Sequence, residues 1–152
     1  PDQSVGISQE KTLPQRAFVA TAFAHIDLRE KTLTHFNAAL PEPILLRGGK
    51  PVELKLNSAV PLGCPLRAEF VGTTEPLHSG DVLLLFSDGL PEARDSVEQE
   101  YEKVRLWNLL DSLLAKPQPA QGWVDAIRTD VRAFTERNEL EDDLTVVVVR
   151  VM

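Results

Sequence analysis

Two short apolar runs, each adjoining a group of acidic residues, constrain most strongly what this chain can fold into. The first run, Val82–Phe86, leads by way of one serine into Asp88 and Gly89, and the second, four valines at positions 146–149, follows the acidic group Glu141–Asp143. Runs this short and rich in branched aliphatic residues are typical of core strands rather than helices. The sequence therefore predicts two buried strands with carboxylates at their ends.

Carboxylates at the ends of two core strands suggest a metal site if the strands are neighbours. A hard divalent cation prefers oxygen ligands and tolerates several carboxylates. If the two strands run antiparallel, Asp88 and Asp142 lie at one edge of the sheet, and two metals there could activate a water on phosphate. Gly89 would let the backbone approach a metal closely, and Thr145 could orient a carboxylate. The alternative is that both acidic groups are ordinary strand-end turns.

Composition limits the class of protein. The chain has 152 residues, 43% of them hydrophobic and 26% charged, which predicts one globular domain over residues 1–152. No apolar stretch reaches the length of a membrane span. The net charge of −7, from 16 basic and 23 acidic residues, argues against nonspecific nucleic-acid binding. The single cysteine, Cys64, cannot form an internal disulfide, which favours a reducing compartment and a cytoplasmic location.

The remaining patterns predict an α+β layout. Ala17–Leu28 is apolar on both alternating faces, as in a strand covered on two sides, and it forms a predicted hairpin with 32–37. Two prolines precede Ile44–Arg47, which predicts a short or edge strand there. Further strands are predicted within 52–56 and 66–77. Helical spacing then appears in Val104, Trp107, Leu110 and Leu114, and again in Val124, Ile127, Val131 and Phe134.

Several blocks of the chain resemble bacterial PPM-type serine/threonine phosphatases of the SpoIIE-like group, which regulate sigma factors through partner switching. Residues 80–94, Gly-Asp-Val-Leu-Leu-Leu-Phe-Ser-Asp-Gly-Leu-Pro-Glu-Ala-Arg, are similar to that family's GDxLLLYTDGVTEAR block. Residues 142–145 resemble its closing DDxT block, 18–23 its FVT strand, 33–46 its LxYxNAGHPPPLLL hairpin and 61–63 its PLG loop. The blocks occur in the family's order and span nearly the whole chain.

The resemblance implies an α-β-β-α sandwich and the metal-dependent hydrolysis of phosphoserine or phosphothreonine by a metal-activated water. It implies two Mn²⁺ or Mg²⁺ ions, with Asp88 and Asp142 as catalytic metal ligands, Gly89 at the metal edge and Asp143 as a weaker candidate ligand. The implied partner is a phosphorylated signalling protein, such as an anti-sigma-factor antagonist.

Two departures from the family pattern bear on activity. The family's opening segment, with its metal-bridging Asp, has no counterpart here, so the domain is expected to be incomplete at its N-terminus and the chain weakly active or inactive. An uncovered sheet face would also favour a homodimer. Leu40 stands where the family usually has His, and Arg94 could either reach a phosphate or pair with Glu92. The competing interpretations are a non-catalytic regulatory module that binds a protein partner and an unrelated α+β domain.

Overall fold

The protein is described by a computed structural model that covers residues 18–54, 60–65, 71–116, 118–136 and 142–152. Its helices and strands follow one another in the order β1 (Thr21–Asp27), β2 (Thr32–Ala38), β3 (Ile44–Arg47), β4 (Lys50–Glu53), β5 (Thr73–Pro76), β6 (Val82–Phe86), α1 (Glu102–Leu114), α2 (Ala120–Thr135) and β7 (Val146–Arg150). This order confirms the predicted α+β class. Parts of the predicted strands at 52–56 and 66–77, and Glu141, lie outside the described residues.

The strands form two antiparallel sheets packed face to face. Sheet I has the order β1-β2-β5, and sheet II has the order β4-β3-β6-β7. Alternate residues of β6 point to opposite faces, so Leu83 packs between the sheets while Leu84 packs toward the helices. The continuous apolar run at 82–86 is explained by this position, because both faces of β6 are covered.

The predicted hairpin of the first two strands is confirmed, but the predicted burial of β1 is wrong. Strands β1 and β2 pair antiparallel from Thr21↔Ala38 to Asp27↔Thr32. Phe23 and the two residues after it are exposed. Strand β1 is the end strand of sheet I within the described residues, and the two helices pack on sheet II, so neither face of β1 is fully covered.

Strand β3 is short, as predicted, but it lies inside sheet II rather than at its edge. It pairs with β4 on one side and β6 on the other. Pro41 and Pro43 precede the strand and so do not interrupt its ladder. The end of β3 is fixed by an ion pair, because Arg47 donates to the buried Asp81 carboxylate through Nε at 3.2 Å and Nη2 at 2.9 Å.

Both predicted helices form, and they cover the outer face of sheet II. Ile127 and Val131 of α2 are buried there, as the spacing predicted, and Trp123 is buried with them. In α1 the buried residues are Leu106 and Leu110, whereas Val104 is 65% exposed. The predicted burial of Val104 is wrong because the start of α1 presents that side chain to solvent.

A polar cluster joins the two helices. The buried Tyr101 hydroxyl, just before α1, donates to Asp130 of α2 at 2.6 Å, and Arg105 donates to both oxygens of that carboxylate at 2.9 and 3.2 Å. The Arg105 guanidinium also lies over the rings of Tyr101 and Phe134. Burial, together with the Asp130 hydrogen bond and charge, raises the pKa of Tyr101.

No helix among the described residues is long and apolar enough to cross a membrane.

Candidate metal and phosphate site

The two strands that adjoin the acidic groups pair with each other, which is the condition that the metal-site interpretation required. Strands β6 and β7 are antiparallel neighbours, with Phe86 opposite Val146. Asp88 therefore follows the end of β6 at the edge of the sheet where Asp142 and Asp143 lead into β7. The fold thus brings the four predicted site residues, Asp88, Gly89, Asp142 and Asp143, to one edge of sheet II.

Ser87 holds the two strand ends together, a role that the sequence analysis did not assign. Its amide donates to the Thr145 carbonyl at 3.0 Å, and its hydroxyl donates to the Asp143 carbonyl at 2.9 Å. The Thr145 amide in turn donates to the Ser87 hydroxyl at 3.0 Å. The position of Ser87 between a core strand and an acidic residue was the available signal, because short hydroxyl side chains there bond to nearby backbone.

Gly89 is required by the close approach of the two strand ends. A Cβ built on Gly89 would lie 2.6 Å from the Asp143 carbonyl oxygen, far inside van der Waals contact. The close approach in the structure is therefore between two stretches of protein backbone. The expectation that Gly89 lets the backbone approach a metal stays a prediction.

The carboxylates of the site are exposed and engage their own backbone. The Asp88 carboxylate accepts from the Gly89 amide at 3.1 Å, and the Asp142 carboxylate accepts from the Asp143 amide at 2.7 Å. Their oxygens match the donor type that Mg²⁺ and Mn²⁺ prefer. Within the described residues, however, no three His, Cys, Asp or Glu side chains come together as they would around a metal ion. The site fits a divalent cation in donor chemistry but not in ligand number.

The loop between β2 and β3 lies near the same edge and is organised by Asn37. The Asn37 side chain accepts from the Leu40 amide at 3.0 Å and donates to the Leu40 and Pro41 carbonyls. Ala39 within this loop has a φ of 66°, in the left-handed region where the family pattern places glycine. The loop thus keeps the form that Asn and Gly favour, although two of its residues, Ala39 and Leu40, differ from the family pattern.

An apolar cleft of about 520 Å³ opens between the inner faces of the two sheets. Its walls come from β1, β6 and β7, and its lining includes Ala22, Ala24, Leu83, Leu85, Val147 and Val149. Leu40, Ser87 and Thr145 also line it. The cleft is therefore continuous with the residues that hold the site edge together.

Arg94 is engaged by acidic residues of its own loop. Its guanidinium donates to Glu100 at 3.0 Å and lies 3.7 Å from Glu98. Residues 94 and 100 form an antiparallel bridge, which brings Glu100 alongside, and the pairing with Glu92 stays a prediction. The phosphate role considered for Arg94 stays a prediction.

Comparison with known proteins shows to which family this chain belongs. The sequence profile described as "Stage II sporulation protein E (SpoIIE)" matches residues 7–152. The chain belongs to the SpoIIE family. Stage II sporulation protein E of Bacillus subtilis is 27% identical over 126 residues, which are 83% of this chain and 14% of that protein.

Solved structures share the fold. The RsbU and RsbW domains of a Mycobacterium tuberculosis protein superpose with a TM-score of 0.70 at 21% identity, over 85% of this chain and 36% of that one. The phosphatase domain of Bacillus subtilis SpoIIE, from a crystal presoaked in Mn, has a TM-score of 0.64 at 23% identity, over 87% of this chain and 56% of that one. These matches confirm a partial PPM-type α+β fold. The chain spans about a third to just over half of these solved chains.

Proposed function

We propose that this chain is part of a PPM-type phosphatase domain that hydrolyses phosphoserine or phosphothreonine with the help of Mn²⁺ or Mg²⁺. The observation that carries the proposal is the pairing of β6 with β7, because it sets Asp88 beside the Asp142–Asp143 pair at one sheet edge. Membership of the SpoIIE family supports the same chemistry.

In the complete site, Asp88 and Asp142 would hold the metal, with Asp143 and the backbone at Gly89 adjoining it. A divalent cation bound there would act as a Lewis acid on phosphate and lower the pKa of water. The described residues supply too few ligands for this by themselves. We therefore propose that further ligands come from polypeptide beyond these residues and that the 152-residue chain alone has little or no activity.

The substrate class is proposed from the relatives. A phosphorylated signalling protein of the bacterial cytoplasm, such as an anti-sigma-factor antagonist, is favoured because one solved relative carries RsbU and RsbW domains on one chain.

The test is Mn²⁺-dependent hydrolysis of a phosphoserine peptide by a longer polypeptide that contains this chain and spans the full length of the solved phosphatase domains. Asp88→Asn and Asp142→Asn should each lower kcat by about 100-fold or more, the scale seen when a group that stabilises transition-state charge is removed. Asp111→Asn is the matched control, because Asp111 is an exposed carboxylate on α1 far along the chain from the site. It should leave turnover unchanged.

Full activity in the Asp88→Asn variant would contradict the assignment of the site. Equal losses in the Asp111→Asn control would mean that the assay reports folding or net charge rather than metal binding.

A second function is a regulatory module that binds a protein partner without turnover. Leu40 at the position of the family's usual His favours it, since a Leu side chain cannot hydrogen-bond to phosphate. Metal binding by the longer polypeptide without any phosphate release would support this function over the first.

A further inference from the structure

His35 is a buried titratable residue that the proposed chemistry does not use. It lies in the middle of β2 and is 1% exposed. Among the residues that the structure describes, neither of its ring nitrogens, Nδ1 or Nε2, has a hydrogen-bond partner. A buried polar group without a partner is costly, and a buried charge is far more so. The neutral ring is therefore tolerated at a cost, while the protonated ring is strongly disfavoured.

The surroundings of His35 are largely apolar on the facing sheet, while polar side chains lie beside it in sheet I. The β2 pattern places it on the inner face of sheet I with Leu33 and Asn37, and its neighbours in the sheet are Ala24 of β1 and Thr73 of β5. The inward residues of β1 are apolar. The facing core of sheet II is also apolar, with Leu45 and Leu83 among its buried members.

Two charged groups, Glu75 and Arg47, lie on strands that pack against β2. Glu75 of β5 acts electrostatically on His35 and favours its protonated form. Arg47 of β3 is engaged by the Asp81 carboxylate and by the Pro76 carbonyl of β5. Burial outweighs the effect of Glu75, so the pKa of His35 lies below its ordinary value.

The sign of the resulting pH dependence follows from linkage. The opened or unfolded chain binds a proton to His35 more readily than the folded chain does. The folded state is therefore favoured fully above the ordinary pKa of histidine, near 6.5, and loses stability as the pH falls below it.

Strand β2 connects His35 to the candidate site. Asn37, two residues further on the same face, holds the loop of Leu40 and Pro41 through its side chain. We propose that His35 is a proton-operated switch between the sheets: acidification expels its ring from the inner face of sheet I, loosens β2 from sheet II and releases the loop that Asn37 holds. This proposal stands independently of phosphatase activity, because it concerns the fold of the chain itself.

The first test is thermal unfolding of the 152-residue chain between about pH 8 and pH 5, the range in which histidine titrates. The wild-type Tm should fall by several degrees over this range. In His35→Phe, which keeps an aromatic ring but cannot bind a proton, most of this fall should disappear. The control is His25→Gln, since that histidine is exposed on β1 and the variant should leave the slope nearly unchanged. An unchanged slope in His35→Phe would overturn the proposal.

A second test needs no variant and so does not depend on how His35→Phe folds. In an NMR titration of the wild type, the His35 ring should keep its neutral chemical shifts through the pH range around 6.5 in which an ordinary histidine gains its proton. At lower pH, protection of the Leu40 amide from hydrogen exchange should fall together with the appearance of protonated His35. Ordinary titration of His35 with the fold intact, or a Leu40 amide whose protection does not change, would refute the switch.

Discussion

At the scale of single residues, the lack of a side chain at Gly89 allows the ends of β6 and β7 to lie in contact. The Asp143 carbonyl occupies the space where a side chain on residue 89 would begin. The same carbonyl accepts a hydrogen bond from the Ser87 hydroxyl. Ser87, Gly89 and Asp143 therefore form one contact between the ends of β6 and β7. The acidic edge therefore depends on glycine for a packing reason that exists even without metal.

We predict that Gly89→Ala lowers the free energy of unfolding by about 1–3 kcal/mol, the usual cost of forcing extra volume into a packed site. Gly122→Ala is the matched control. Gly122 lies in α2, and its new methyl would lie closest to the movable Oε1 of Gln118, at 3.0 Å, with the Gln118 Cβ at an ordinary contact distance of 3.5 Å. Since alanine favours helix, that variant should be neutral or more stable by up to about 1 kcal/mol. Urea denaturation of both variants decides the matter, and equal stabilities would contradict the packing argument.

At the scale of elements, α1 and α2 are joined by a charge network as well as by apolar packing. Burial disfavours the Asp130 carboxylate, but the hydrogen bonds from Arg105 and Tyr101 outweigh that effect and lower its pKa. Because Arg105 is 42% exposed, solvent screens part of the interaction. The buried Tyr101 hydroxyl depends more strongly on this carboxylate, since it would lose its hydrogen-bond acceptor if Asp130 were removed.

We predict that Asp130→Ala destabilises the chain by about 1–2 kcal/mol at neutral pH, the cost of charged hydrogen bonds discounted for exposure. A depressed carboxylate pKa gives stability above the ordinary value, near 4, and that contribution is lost as the pH falls through the folded-state pKa. The difference between wild type and variant should therefore shrink in strong acid. Asp125→Ala, an exposed carboxylate on the same helix, should change stability by less than about 0.5 kcal/mol. Chemical denaturation at neutral and acid pH measures both, and an equal loss in the two variants would refute the network.

At the scale of the whole molecule, one side of the sandwich is open. Strands β1 and β7 end their sheets within the described residues, and the apolar cleft lies between them. Phe18, Val19 and Phe23 are exposed near β1, and Val147 of β7 is 47% exposed. Unpaired strand edges next to apolar surface favour pairing with another chain.

We predict that the 152-residue chain self-associates at micromolar concentrations and that Val147→Lys weakens this association by placing a charge in the cleft. Val104→Lys is the matched control, because Val104 is at least as exposed but lies on α1, away from the open side. Light scattering after gel filtration measures the mass. A monomeric wild type, or equal dissociation by both variants, would contradict an interface at this side.

Much of the fold followed from local patterns. Both core strands, both helices and the first hairpin were predicted. This was possible because apolar runs, helical spacing and turn residues are patterns among residues close together in the sequence. Burial was predicted less well. Phe23 and Val104 are apolar but exposed, since burial depends on which element covers a face and not on the residue itself.

The sequence by itself determined which residues carry the acidic edge, since Asp88, Gly89, Asp142 and Asp143 adjoin core strands whose ends are rigid. Only the tertiary structure decided what joins and surrounds them. The bridging hydroxyl of Ser87 and the contact of Gly89 with the Asp143 carbonyl join residues distant in the chain. The burial of His35, without a hydrogen-bond partner among the described residues, likewise results from the packing of separate strands. Such contacts depend on how the sheets and loops pack, and local sequence patterns do not specify that packing.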